Sequence, residues 1–244
     1  MAQPIRFRAT VSEVMRHDPD VVTLRLLSEK RLPRFQPGQF IHLALDEFDP
    51  AGFWPESRVF SAANAVSDRK TVELTISRQG KFTSRILDEV AVGRSLWAKG
   101  PYGDFVIDGR HGCSRIALVA GGTGITPFCA FMDRALSEGR VFAESVTLYY
   151  GARTPDLLIY APLVRRCVTE VPGFRARLYA EAGNSSDEAV HHGRLDAGEI
   201  VRDCGIEDVA FYVSGPKQMI DSFRARLTEE FKVDVHRVLI DAWG

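Results

Sequence analysis

Two short runs carry most of the chemical potential of this sequence. Arg58-Val59-Phe60-Ser61 puts a fixed cation, a ring and a hydroxyl within four residues. Gly121-Gly122-Thr123-Gly124-Ile125-Thr126-Pro127 follows the apolar run Ile116 to Ala120. Glycines let a backbone turn sharply and come close to a phosphate. Thr126 suits a helix N-cap and Pro127 a first helical residue. A helix opening there would aim its N–H groups and partial positive charge at the loop. That describes an anion cradle at the carboxyl end of a strand, where open α/β sheets take their ligands. It is neither a G-x-G-x-x-G fingerprint nor a Walker A loop, because the lysine is missing. On the residues alone, a nucleotide cradle and a merely tight strand–helix turn both stand.

The elements that must position these runs fall into two regions. Up to about residue 110 the chain reads as β-rich. Short segments recur at Phe7 to Val14, Val21 to Leu27, Gln39 to Leu45, Arg58 to Ala62, Thr71 to Ser77 and Ser95 to Lys99. Turn residues such as Gln36-Pro37-Gly38 and Gly100-Pro101 punctuate them, and one helix interrupts around Phe82 to Glu89. Such spacing predicts an antiparallel barrel or sandwich. After Asp108-Gly109-Arg110 the pattern changes. Strands at Ile116 to Ala120, Ser145 to Tyr150, Phe174 to Tyr179 and Val209 to Ser214 alternate with helical stretches. Those stretches are Pro127 to Glu138, Leu158 to Glu170, Leu195 to Asp203 and Pro216 to Phe231. Alternation of this kind predicts a parallel sheet. The domains are expected at 1–109 and 110–244.

Composition narrows the classes. A length of 244 residues accommodates two domains, and a 45% hydrophobic fraction supplies a core for each. The formal charge of −1 gives no global field for nucleic acid. No apolar run approaches the ~20 residues of a membrane span, and Met1 to Thr10 lacks a signal-peptide core. A soluble cytoplasmic protein is expected. Cys113, Cys129, Cys167 and Cys204 are scattered without cluster or zinc spacing, so buried thiols are expected. His191-His192 lacks a carboxylate partner and is read as a loop rather than a metal site; no metal is expected.

Taken together and in order, the motifs resemble those of the ferredoxin–NADP reductase superfamily over nearly the whole chain, Arg8 to Trp243. Arg58-Val59-Phe60-Ser61 is similar to its R-x-[YF]-S flavin motif. Gly80-Lys81-Phe82-Thr83-Ser84 resembles its flavin phosphate turn. Gly100-Pro101-Tyr102-Gly103-Asp104-Phe105 resembles the segment closing the flavin domain, and Gly121 to Pro127 the G-G-T-G-I-[TA]-P loop. Tyr149 to Arg153 and Tyr212 to Pro216 resemble the ends of later nucleotide-domain strands.

The resemblance implies a six-stranded antiparallel flavin-binding β-barrel, then an α/β nucleotide-binding domain with a parallel sheet. It implies FAD, with FMN the less favoured flavin, and NADH or NADPH as co-substrate. Phe60 would stack on the flat flavin, Ser61 would meet its N5 and Arg58 a phosphate. Val59, Ile76, Gly80, Lys81, Phe82, Thr83 and Ser84 complete the implied flavin site. Gly122, Thr123, Gly124, Thr126, Pro127, Arg153, Gly215 and Pro216 form the implied nicotinamide dinucleotide site. Hydride transfer would engage Ser61, Ser214 and Asp241, with Trp243 covering the flavin or bordering the acceptor.

The chain departs from the family at Ser214, where relatives often carry cysteine in C-G-P-x-x-M. Asp241 and Trp243 match a terminal acidic–spacer–aromatic spacing. Glu181, in Tyr179-Ala180-Glu181-Ala182, would repel a 2′-phosphate and favours NADH; Arg153 and Lys217 pull the other way. The implied function is a flavoprotein reductase passing electrons to a ferredoxin, an oxygenase component or a haem protein. The alternatives are a free-flavin reductase and a flavin-binding relay subunit of a larger complex.

Overall fold

The computed structural model describes residues 3–183 and 187–241, Arg110 by its backbone alone. Its contacts divide the chain into two compact units, Met1–Val106 and Ile107–Gly244. Each is described by itself.

The first unit is a six-stranded antiparallel sheet curled into a nearly closed barrel. Its strands are β1 (Ile5–Asp18), β2 (Val21–Ser28), β3 (Phe40–Ala44), β4 (Ser57–Ser61), β5 (Thr71–Ser77) and β6 (Ser95–Tyr102), in the order β4-β3-β6-β1-β2-β5. Period-two alternation builds it: Phe7, Ala9 and Val11 of β1 point inward at 0% exposure, while Arg6 and Arg8 point out. Leu24, Leu26, Leu43 and Leu74 meet them in the core. Helix α1 (Lys81–Glu89) plugs this core with Phe82, Ile86 and Leu87. Each such side chain contributes about 1.5–3 kcal/mol on burial. The end strands β4 and β5 are sewn together by few bonds. Ala63 N–H donates to the Glu73 carbonyl at 2.8 Å. The Asn64 amide donates to the Thr71 carbonyl and accepts from Glu73 N–H, both at 2.9 Å.

The second unit is a parallel six-stranded sheet, ordered β10-β9-β8-β7-β11-β12. Its strands are β7 (Arg115–Gly121), β8 (Ser145–Ala152), β9 (Phe174–Ala180), β10 (Val190–His192), β11 (Val209–Ser214) and β12 (Val238–Asp241). The helices are α2 (Thr126–Glu138), α3 (Ala161–Glu170), α4 (Ala197–Cys204) and α5 (Lys217–Ala225). The central strands β7 and β11 are covered on both faces, so they read as unbroken apolar runs.

Several expectations need correction. His191 and His192 lie in β10, not a loop; they pair in parallel with Tyr179 and Ala180 of β9. Three residues are too few to carry a periodic signal, and both histidines are exposed at the sheet edge. Strand β12 was not expected either, being equally short. Thr126 is not an N-cap. A 3₁₀ turn, Gly122–Ile125, feeds straight into α2, so Thr126 is already helical and Ile125 holds the cap position without a side-chain bond. Pro216 is the cap rather than the first residue of α5, whose continuation Arg226–Glu230 is a π-helical turn. Among the cysteines, Cys129 and Cys167 are buried but Cys113 and Cys204 are only half-buried. Burial pushes the Cys167 thiol up to about 12 and that of Cys204 to about 11.

Candidate functional site

In the first unit, the fold brings β4 and the start of α1 together. The Arg58 guanidinium lies over the Phe82 ring at 5.2 Å. Its charge is held meanwhile by Glu56 at 2.9 Å, a surface pair that gives way at small cost. Glu56 is a site neighbour the sequence did not flag. Phe60 is half-buried and packs partly on the barrel core; Val59 and Ser61 are also half-exposed. Ile76 is 1% exposed within the core, so its side chain serves packing, not the outer surface.

The turn at Gly80 is only partly available to an anion. Thr83 Oγ1 accepts from Gln79 N–H at 2.8 Å and Gly80 N–H at 3.0 Å, and donates to the Gly80 carbonyl at 3.1 Å. Its hydroxyl therefore caps α1 and is not aimed outward. Ser84 hydroxyl and the Lys81 ammonium have no protein partner among the described residues. With the first-turn N–H groups of α1, they form an open cationic helix start. Thr83→Val removes all three bonds and is expected to destabilise the first unit by about 1–2 kcal/mol. A thermal melt of the apoprotein measures it; an unchanged midpoint would show the cap to be dispensable.

In the second unit, the loops after β7 and β11 are pressed together. A Cβ on Gly124 would lie 2.5 Å from Gly215 Cα and N and from the Ser214 carbonyl oxygen. A Cβ on Gly121 would strike Met219 Sδ at 2.6 Å. Gly215 has φ +154° and its Cβ would meet Met219 Cε at 2.7 Å. Gly121, Gly124 and Gly215 are thus glycines because two backbones and a thioether meet there. Gly122 differs: it has φ +55° and nothing within 4 Å of its Cβ position. Only this glycine leaves open space over the loop. Thr126 and Pro127 are buried beneath it, Thr123 is half-exposed and Pro216 exposed. The packing role of Met219 was not legible; its place four residues after Gly215 is the only signal.

At the neighbouring strand ends, Ser214 pairs in register with Asp241. Ser214 Oγ donates to Asp241 Oδ2 at 3.0 Å, and the residues are 2% and 7% exposed. Two residues expected to share a task are thus in direct contact. Arg153 is exposed. Lys217 is paired with Asp221 at 2.7 Å and Glu181 with Arg194 at 2.8 Å. Trp243 lies outside the described residues. No group of metal-ligating side chains occurs among the described residues, and no helix there is long and apolar enough to cross a membrane.

Known proteins share this arrangement. Residues 6–107 match the oxidoreductase FAD-binding domain family and residues 118–225 the oxidoreductase NAD-binding domain family. The protein is therefore of the class that joins a flavin-binding barrel to a nicotinamide dinucleotide-binding α/β domain. The chain belongs to the ferredoxin–NADP reductase superfamily. It is 30% identical over 213 residues to the alkene monooxygenase system ferredoxin–NAD(+) reductase component of Xanthobacter autotrophicus, covering 85% of this chain and 61% of that protein. It is 36% identical over 126 residues to a probable dihydroorotate dehydrogenase B electron transfer subunit of Methanopyrus kandleri, covering 51% of this chain and 42% of that one. The crystal structure of the Amycolatopsis cytochrome P450 reductase GcoB superposes with a TM-score of 0.80 at 24% identity, over 99% of this chain and 70% of that chain. The chain spans about six-tenths of the length of its first reductase relatives.

Proposed function

We infer that this protein is an NAD(P)H-dependent flavoprotein reductase serving a separate protein acceptor. The observation that carries the reading is the Arg58–Phe82 contact, which sets a cation beside the open first turn of α1 in an FAD-binding domain. Bound FAD supplies the conversion of a two-electron donor into single electrons. The residues do the holding. Arg58, Lys81, Ser84 and the α1 N–H groups fit its phosphates, and Phe60 fits a stacked ring. Ser61 offers a hydroxyl to the ring edge. Residues 1–109 form this domain in our reading, and 110–244 receive the nicotinamide dinucleotide. There the open side of Gly122 and the start of the 3₁₀ turn cradle its phosphates. Ser214, fixed by Asp241, orients the nicotinamide end. One NADH yields two electrons, taken singly by two acceptor centres, and NAD⁺ and a proton are released.

NADH is the favoured donor, since Glu181 stands where a 2′-phosphate would be repelled and Lys217 is neutralised by Asp221. The acceptor is a ferredoxin, an oxygenase component or a haem protein, reached in the cytoplasm. A relay subunit is the second reading, favoured by the likeness to the electron transfer subunit above.

Anaerobic titration of the purified protein with NADH and then NADPH tests the proposal, following flavin absorbance near ~450 nm. Bleaching by one equivalent of NADH is the expected result. A yellow protein that neither nucleotide bleaches would overturn it in favour of the relay subunit. A colourless protein that reduces added flavin without retaining it would favour a free-flavin reductase.

A further inference from the structure

A row of basic side chains crosses the outer face of the barrel. Arg6 of β1 sits directly opposite Lys99 of β6, and Lys99 directly opposite His42 of β3. Their chain neighbours Phe7, Ala98, Ile41 and Leu43 fill the core at 0% exposure, so all three project outward. Like charges facing each other across strands are destabilising. Here no carboxylate relieves them: neither Arg6 nor Lys99 has an ion-pair partner among the described residues. Desolvation, then the Arg6 charge, pulls the Lys99 ammonium below its ordinary range.

Instead of counter-charges, the row has rings. The loop between β3 and β4 folds back over the sheet and lays Phe48 under Arg6 at 5.2 Å and Trp54 under Lys99 at 4.8 Å. Phe48 and Trp54 are themselves 5.2 Å apart. The loop's acids are turned to other tasks. Glu47 binds Arg8 and the Trp97 N–H, and Asp49 accepts from Ala51 N–H. Beside Trp54, Phe53 stands 99% exposed. The loop thus presents an aromatic side chain wholly to water next to cations lacking counter-charges.

This combination has the composition of a protein interface, where aromatic residues and arginine are enriched. A small anion would need a concave site, and this is the outer face of a sheet. A nucleic acid would need a longer basic stripe and would meet Glu47 and Asp49 at its border. The row also ends beside the flavin strand, since His42 is paired with Val59 of β4. We propose that Arg6, Lys99 and Phe53 form the docking surface for an acidic electron-acceptor protein, carboxylates of the partner supplying the missing counter-charges and Phe53 an apolar anchor. This rests on the reductase reading above.

The test compares the wild-type holoprotein with an Arg6→Gln/Lys99→Gln double variant and with Phe53→Ser. Two NADH-driven assays are run, one reducing ferricyanide and one a strongly acidic two-iron ferredoxin. The double variant is expected to raise KM for the ferredoxin about tenfold and to flatten its dependence on salt, with ferricyanide reduction unchanged. Phe53→Ser is expected to raise that KM about threefold or more without altering the salt dependence. Thermal melting should not fall in either variant, since neither loses an ion pair. An unchanged KM and salt profile in the double variant would overturn the proposal. So would a wild type that reduces ferricyanide but not the ferredoxin. Co-sedimentation with phosphatidylserine vesicles that is lost in Phe53→Ser would assign the surface to a membrane instead. Failure of the wild type to reduce ferricyanide would point to the reductase reading itself and remove this inference with it.

Discussion

Gly124→Val is expected to destabilise the second unit by about 3 kcal/mol or more and to slow reduction of the flavin by NADH about a hundredfold. The added carbons would enter the backbone of Gly215 and the Ser214 carbonyl, 2.5 Å away. Backbone atoms at adjacent strand ends cannot swing aside as a flexible side chain can. The loops after β7 and β11 must therefore separate, carrying Ser214 and the open side of Gly122 with them. Gly122→Ala is the control. Its φ of +55° is strained for alanine, but its Cβ direction is empty. That substitution should cost about 1–2 kcal/mol and leave the loop pairing in place. Calorimetry and stopped-flow flavin reduction read the two effects. If Gly124→Val melts and reduces like the wild type, the close approach is not what the glycine serves.

Ser214→Ala is expected to cost about 1.5–3 kcal/mol of stability, the range for a hydrogen bond to a charged group. Asp241 is 7% exposed, and its Oδ2 loses the Ser214 donor at 3.0 Å. Water reaches such a site poorly, so the carboxylate's lost bond is not simply replaced. Asp241→Asn keeps the shape and removes the charge. The double variant should then cost clearly less than the sum of the singles, which is the mark of a direct pair. Strict additivity would refute the coupling. The pair also accounts for serine where relatives often have cysteine. A thiol is a weaker donor than a hydroxyl, and a buried carboxylate one strand away calls for the stronger one.

Much of this architecture is legible in the sequence, for physical reasons. A strand covered on both faces must be apolar throughout, so Ile116–Ala120 and Val209–Ser214 announce β7 and β11. Thr71–Ser77 alternates because only one face is buried. Short edge strands carry no such constraint, and β10 and β12 escape notice. The site is legible at the level of motif but not of role. Thr83 has the residue type of a phosphate ligand, yet its hydroxyl is spent on its own helix. Ile76 lies near the flavin motifs in sequence, yet it faces the core. The glycines of the Gly121–Gly124 loop look alike on paper; which of them faces another backbone and which faces empty space depends on β11, some ninety residues later.

The barrel's seam has a consequence for the flavin strand. β4 is laddered to β3 along its length, but on its other side the link to β5 rests on the Ala63 bond and the Asn64 amide just beyond its end. A side chain there stands in for a missing backbone rung. A strand held this way breathes independently of the rest, because its outer edge opens by breaking a few bonds at one corner while the core stays packed. Arg58, Phe60 and Ser61 therefore ride on the leaf of a hinge. The barrel can admit and release a large planar guest by moving that leaf, without unfolding around it.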